Sequence, residues 1–255
     1  MRLSHARRIV FPHNDAGALA RLLRQEHTGG QKFVVTESLF SMDGDRAPLA
    51  EYGALCCEHD AAQIVDEAHA VGIYGDHGSG LLEAAGVEAL VSIDTAGKAL
   101  GVCGAFVSAP GWIIESLIQS ARPFIFSTAA PPPVAAALEA SLKVIETESW
   151  RRRQLLARSA YLRKRLAETG VTVPDGGSQI IPIVLGDNQR AFRVAEALRR
   201  EGFDARAVRP PSVPPGTARL RLSVKADLSE TVLDRFVTAL AGMLEEAAVC
   251  SAASL

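Results

Sequence analysis

The chain has no surplus of charge of either sign. Its 27 Lys and Arg stand against 29 Asp and Glu, a net charge of -2, so it lacks the global field that grips a phosphate backbone. No nucleic-acid partner is expected. The four cysteines, Cys56, Cys57, Cys103 and Cys250, form no C-x-x-C pair, so neither a zinc site nor a disulfide framework is predicted. A reducing compartment, the cytoplasm, fits that usage. Long hydrophobic runs are also missing. The most nearly apolar stretch, Ala99 to Ala109, is interrupted by Gly101 and Gly104 and stopped by Pro110, well short of the ~20 residues that span a bilayer. No membrane association is expected. Near the start, Arg2, Arg7 and Arg8 precede an apolar stretch that ends at Pro12-His13-Asn14-Asp15, too early for a secretory leader. Internal repeats and low-complexity linkers are absent.

What is there is the composition of a folded protein. The 255 residues are 48% hydrophobic and 22% charged, with a mean hydropathy of +0.13. At ~150 residues per domain this is one large domain or two modest ones. Lys32 to Thr36, Ala62 to Asp66, Leu90 to Ile93 and Gly104 to Ser108 are short apolar runs bounded by Gly, Pro or charge, and they predict buried parallel strands. Helical patterns alternate with them at Asp15 to Gln25, Pro48 to Glu58 and Gly111 to Ala121. The fold class is therefore α/β. After Pro131-Pro132-Pro133 the apolar positions Leu138, Leu142, Ile145, Leu155, Leu162 and Leu166 keep helical spacing, predicting one long connecting helix to about Gly170. Strands at Gln179 to Leu185 and Arg219 to Val224, with helices at Asn188 to Glu201 and Ser229 to Ala247, then predict a smaller α+β domain. Asp227 and Glu230 have capping-box spacing before the last helix. The expected boundary lies at 128, between a large domain (1–128) and the connecting helix with a small domain (129–255).

Chemistry-bearing residues concentrate in Asp66-Glu67-Ala68-His69, Thr95-Ala96-Gly97-Lys98-Ala99-Leu100-Gly101 and Arg219-Leu220-Arg221-Leu222. A carboxylate that closes an apolar strand, as Asp66 does, can project from the carboxyl edge of the sheet, where open α/β folds bind ligands. His69 follows three residues on. A capped strand-to-helix turn would use both residues equally well. The D-E-A-H string also suggests a helicase, but a phosphate-binding G-x-x-x-x-G-K-[ST] loop is missing: Gly97-Lys98 lies downstream, is followed by Ala99, and has Ser92 in place of the first glycine. Lys98 is a lone lysine among small residues. It could be a solvated loop residue, or an amine that attacks a carbonyl carbon, with the Thr95 hydroxyl nearby to donate a hydrogen bond to a phosphate. A pyridoxal phosphate site needs both such a lysine and an acidic partner for the ring nitrogen, and Asp66 supplies the second. The cluster Trp150-Arg151-Arg152-Arg153 is read as a solvated helix face.

Several segments taken together resemble the α-oxoamine synthases, acyl-CoA-dependent pyridoxal phosphate enzymes of fold type I. They are Thr36-Glu37-Ser38-Leu39-Phe40-Ser41-Met42-Asp43-Gly44-Asp45, the D-E-A-H string, the Lys98 segment, Phe126-Ser127-Thr128 and Arg209-Pro210-Pro211-Ser212-Val213-Pro214. The resemblance runs through nearly the whole chain. It implies a partial large domain with a mostly parallel sheet, followed by a small C-terminal domain. Lys98 would carry pyridoxal 5'-phosphate covalently, Asp66 would keep its ring nitrogen protonated, and His69 would hydrogen-bond its phenolic oxygen. Thr95 would bind the phosphate, Ser41 would lie near the cofactor, and Thr128 would reach the phosphate in the neighbouring subunit of a homodimer. Arg221 would clamp the amino acid's carboxylate, with Arg209 also near substrate.

The implied activity is decarboxylative condensation of L-alanine with an acyl thioester of the pimeloyl-CoA or acyl-carrier-protein type, as in biotin biosynthesis. A glycine-using acyltransferase and a catalytically silent homologue are the alternatives. Two departures from the family bear on that choice. The chain starts well inside the family pattern, without its glycine-containing phosphate segment or the histidine that stacks on the ring. Lys225-Ala226-Asp227-Leu228 stands where the family has a small residue, alanine and histidine. Missing large-domain elements would leave apolar sheet surface uncovered.

Overall fold

The computed structural model describes residues 4–26, 29–174 and 176–252. The chain forms two compact units, Met1–Leu39 with Arg46–Thr147, and Phe40–Asp45 with Glu148–Leu255.

In the first unit, α1 (Ala16–Gln25) starts where the Asp15 carboxylate accepts the Ala18 N–H at 2.7 Å, satisfying one of the donors every helix leaves unpaired at its start. β1 (Lys32–Glu37), α2 (Leu49–Glu58) and β2 (Ala61–Asp66) follow, with the strands parallel from Lys32↔Ala61 to Glu37↔Asp66. Next come α3 (Leu81–Ala85), β3 (Val91–Thr95), β4 (Ala105–Ser108), α4 (Gly111–Ser120), α5 (Arg122–Ile125) and α6 (Pro132–Thr147). The sheet order is β1-β2-β3-β4. β3 runs parallel to β2, but β4 is antiparallel to β3, which corrects the expectation of four parallel strands. A parallel crossover takes about a dozen residues or more, whereas the β3–β4 loop is short and closed on itself. The Ala96 N–H donates to the Gly104 carbonyl at 2.9 Å and the Val102 N–H to the Ala96 carbonyl at 2.8 Å.

Nor are these strands buried on both faces. Along β1, Val34 and Thr36 are buried, while Phe33 and Val35 are 54% and 38% exposed. Val107 on β4 and Trp112 on α4 are exposed as well. On the buried side α2 packs against β2, and its Tyr52, almost wholly buried, meets the Phe11 ring edge-on at 5.7 Å.

The single long helix expected after the prolines is two helices, α6 and α7 (Trp150–Glu168). Around the break, side chains compete locally for backbone and for each other. Thr147 Oγ1 donates back to the Lys143 carbonyl at 2.7 Å, Arg151 Nε to Glu148 at 2.7 Å, and Arg153 to Ser149 Oγ at 2.9 Å. The shared periodicity also serves two separate cores. Leu138 and Ile145 pack on Val71, Ala96 and Leu100 in the first unit, whereas Leu162 and Leu166 lie in the core of the second.

The second unit continues with β5 (Ile180–Gly186), α8 (Asn188–Arg200), β6 (Arg206–Val208), β7 (Ala218–Ser223) and α9 (Glu230–Ala252), in an antiparallel sheet ordered β5-β7-β6. Ile181, Ile183, Leu220 and Leu222 form one sheet face and pack with Val194, Leu198, Phe236 and Leu240. Full burial of each such side chain is worth ~2 kcal/mol. The start of α9 is capped by Ser229 rather than by the Asp227–Glu230 box: Ser229 Oγ accepts the Val232 N–H at 3.3 Å. Among the described residues, no helix is long and apolar enough to cross a membrane.

Candidate functional site

The first unit gathers its chemistry at the carboxyl edge of β2 and β3. Asp66 is the last residue of β2 and pairs in register with Ile93 of the parallel neighbour β3. Thr95 ends β3, and Lys98 sits in the tight loop that follows. Adjacent parallel strands thus bring Asp66, Thr95 and the Lys98 loop to one edge. The Asp66 carboxylate is held by its own turn, where Oδ1 accepts the Ala68 N–H at 2.8 Å. His69, partly buried, lies in that turn. Lys98 is exposed, and a Cβ built on Gly97 or Gly101 beside it would meet nothing within 4 Å. Thr95 Oγ1 is buried without a hydrogen-bond partner, a costly state for a hydroxyl. Thr128 is exposed beyond α5.

Two carboxylates to which the sequence assigned no role, Glu67 and Asp94, stand behind this edge. Glu67 is fully buried. Its Oε2 accepts the Ser38 hydroxyl at 2.7 Å and the Leu81 N–H at 3.0 Å, and its Oε1 accepts the Leu82 N–H at 2.6 Å. Asp94, 4% exposed, accepts the Ser92 hydroxyl at 3.0 Å. Burial pushes its carboxyl up to about 6, against the opposing effect of the Ser92 bond and with help from the negative charges of Glu67 and Asp66. The available signal was a carboxylate at the end of a short strand-like run, Glu67 after Ile64-Val65-Asp66 and Asp94 after Val91-Ser92-Ile93.

Ser41, Arg209 and Arg221 belong to the second unit. Arg221 Nε donates to the Ser41 carbonyl at 2.5 Å and Nη1 to Ser223 Oγ at 2.9 Å. Partial burial lowers the pKa of its guanidinium. Arg209 lies over the Phe192 ring, 5.7 Å from its centroid. The alternation Arg219-Leu220-Arg221-Leu222 is that of a strand with one face in the core, and Arg219 shares the polar face with Arg221. Arg219 is almost wholly buried and ion-pairs with Asp43 at 2.5 Å. Asp43 and Arg219 lie in segments that the sequence marked, but neither was assigned a role there.

Against known proteins, residues 1–240 match the aminotransferase class I and II model, and the chain belongs to that family. It is 46% identical, over 96% of its length, to 8-amino-7-oxononanoate synthase from Anaeromyxobacter dehalogenans, of which it covers 62%. Among solved structures it is similar to serine palmitoyltransferase from S. paucimobilis with a bound pyridoxal phosphate–myriocin adduct. There the TM-score is 0.88 at 30% identity, covering 93% of this chain and 61% of that one. The 8-amino-7-oxononanoate synthase from Francisella tularensis gives a TM-score of 0.83 at 25% identity, covering 96% of this chain and 71% of the other. The α/β fold expected from the sequence is the fold of these enzymes. The chain spans about three-fifths of the length of the curated relatives it matches.

Proposed function

We propose that the protein binds pyridoxal 5'-phosphate and condenses L-alanine with a pimeloyl thioester, on CoA or a carrier protein, to give 8-amino-7-oxononanoate for biotin biosynthesis. The observation that carries this reading is one sheet edge holding an amine, a carboxylate and an unpartnered buried hydroxyl, in Lys98, Asp66 and Thr95. The donor set suits the group: an amine for its aldehyde, a carboxylate for its protonated ring nitrogen, and a hydroxyl for its phosphate. Names of relatives support the substrate pair.

Bound there, the cofactor supplies an electron sink for the charge left on the amino acid's α-carbon. Lys98 would hold it and, once the amino acid's amine has displaced the lysine amine, would serve as the base that takes the α-proton. Asp66, fixed by the Ala68 N–H, keeps the ring-nitrogen proton in place, and His69 orients the phenolic oxygen. Thr95 takes the phosphate. By the family likeness, Ser41 would serve the cofactor as well, and Thr128 would reach the phosphate of a second copy in a homodimer. Arg221 offers the planar fork that matches a carboxylate, which a lysine could not reproduce, and Arg209 contributes nearby. In the overall change, alanine's α-carbon bonds to the thioester carbonyl carbon. The thiol leaves, and the alanine carboxylate departs as CO2. The cytoplasm, where acyl thioesters are made, is the proposed location.

The test is borohydride treatment of the chain mixed with pyridoxal phosphate, followed by peptide mass mapping. The expected result is a cofactor adduct on the Lys98 peptide that Lys98→Ala lacks. Equal labelling of scattered lysines in both proteins would sink the reading.

A further inference from the structure

Arg219 has no part in the proposed chemistry, yet it is the more buried of the two arginines on β7. Its side chain is 7% accessible, against 49% for its partner Asp43. Nη1 donates to the Asp43 carboxylate at 2.5 Å and to the Met42 carbonyl at 3.2 Å, and Nε to the Thr217 carbonyl at 3.1 Å. Two residues along the same face, Arg221 grips the preceding carbonyl, that of Ser41. The two arginines therefore hold consecutive carbonyls of one turn.

A third bond pins the far end of that turn, where Ser178 Oγ donates to the Gly44 carbonyl at 2.6 Å. Gly44 has a φ of +70°, and a Cβ there would strike the Ile180 carbonyl, so the turn lies directly on the backbone at the start of β5. Closing bonds within the segment, Phe40 N–H to the Asp45 carbonyl and Gly44 N–H to the Phe40 carbonyl, both at 2.9 Å, make it rigid. In the Asp43–Arg219 bond both partners carry charge, and bonds with an ionised partner are about twice as strong as neutral ones.

We propose that the Asp43–Arg219 pair is a positioning device that fixes the Ser41–Gly44 turn, so that the Ser41 carbonyl sets the plane of the Arg221 guanidinium for an amino-acid carboxylate. This rests on the reading in which Arg221 takes that carboxylate. A guanidinium carries five N–H donors in a fixed fork. Committing Nε to Ser41 and Nη1 to Ser223 removes its freedom to rotate before substrate arrives. The benefit is pre-organisation, which appears as affinity.

The test is a spectral titration of the pyridoxal phosphate-loaded chain with L-alanine and, separately, with ethylamine, which has no carboxylate. Asp43→Asn and Arg219→Met are expected to weaken alanine binding about tenfold, the loss of ~1.4 kcal/mol, and to leave ethylamine binding unchanged. Asp43→Glu should restore part of the loss. Without cofactor, the Arg221 Nε–H signal in a proton–nitrogen spectrum should exchange with water faster in Asp43→Asn than in the parent chain. If Arg219→Met does not fold, Asp43→Asn, at a half-exposed side chain, still decides. Wild-type alanine affinity and Nε–H exchange in Asp43→Asn, alongside weakened alanine binding in Arg221→Ala, overturn this proposal alone. Undiminished alanine binding in Arg221→Ala overturns it together with the carboxylate role of Arg221.

Discussion

Glu67 and Ser38 are joined by a hydrogen bond of 2.7 Å in which both side chains are completely buried. The same carboxylate collects the Leu81 and Leu82 N–H groups, so one buried group ties the exit of β1, the turn after β2 and the start of α3. Removing it strands three donors away from water. Glu67→Ala should destabilise the first unit by roughly 3–5 kcal/mol, and Ser38→Ala by about 1–2 kcal/mol. Glu67→Gln should fall between them, since an amide keeps one acceptor oxygen and adds donors where donors already converge. Urea unfolding of the variants and a double-mutant cycle measure this. A Glu67→Gln chain as stable as the parent would mean that the carboxylate is not what holds the turn.

Asp94 gives the chain a pH signature. Its carboxyl is raised from 3.8 to about 6, first by burial and then by the charges of Glu67 and Asp66. Between those values the folded chain keeps a proton that the unfolded chain has released. Stability contributed by this group therefore falls as pH rises from about 4 to about 6, and is level above. Asp94→Asn, which can still accept the Ser92 hydroxyl, should be more stable than the parent at pH 8 by about 2–3 kcal/mol and should lose the slope. Thermal melts across pH 4 to 8 compare the two.

On α7 and α9 the opposite sign holds. Asp234 accepts Arg165 Nε at 2.7 Å and the Tyr161 hydroxyl at 2.9 Å, and these bonds, Arg165 first, hold its carboxyl below its usual value. Their contribution is present above the unfolded carboxyl's pKa and is lost as pH falls through the folded one. Asp234→Asn should melt lower than the parent at pH 7, and the gap should narrow toward pH 3.5. A gap that stays constant with pH would contradict the assignment.

Adjacent cysteines should differ in reactivity. Cys56 is buried, and desolvation raises its thiol to about 11, whereas Cys57 and Cys103 are exposed. Because the thiolate is the reacting form, iodoacetamide at pH 8 should add one label, not two, to the peptide carrying Cys56 and Cys57. The second should appear only after denaturation. Mass mapping reads the count directly.

The sequence by itself determined the local elements. Apolar runs bounded by Gly, Pro or charge marked Lys32–Glu37, Ala61–Asp66 and Ile180–Gly186 to within a residue or two. The helix starts expected at Asp15 and Asn188 fall where the Asp15 and Asp187 carboxylates cap α1 and α8, because capping is a contact between near neighbours. The motif strings also carried the family. What the sequence left open depended on partners distant along the chain. The direction of β4 followed from a loop closed by its own hydrogen bonds, and the division of α6 from α7 followed from two cores drawing on one apolar pattern. Nothing in the sequence marked Glu67, Asp94 or Arg219 as buried. Only tertiary structure buried them, and burial is what makes a charge seek partners: Ser38 comes 29 residues before Glu67, and Asp43 176 before Arg219. Neither separation leaves a periodic trace in the sequence, since the desolvation that fixes each pair arises only when the sheets are assembled.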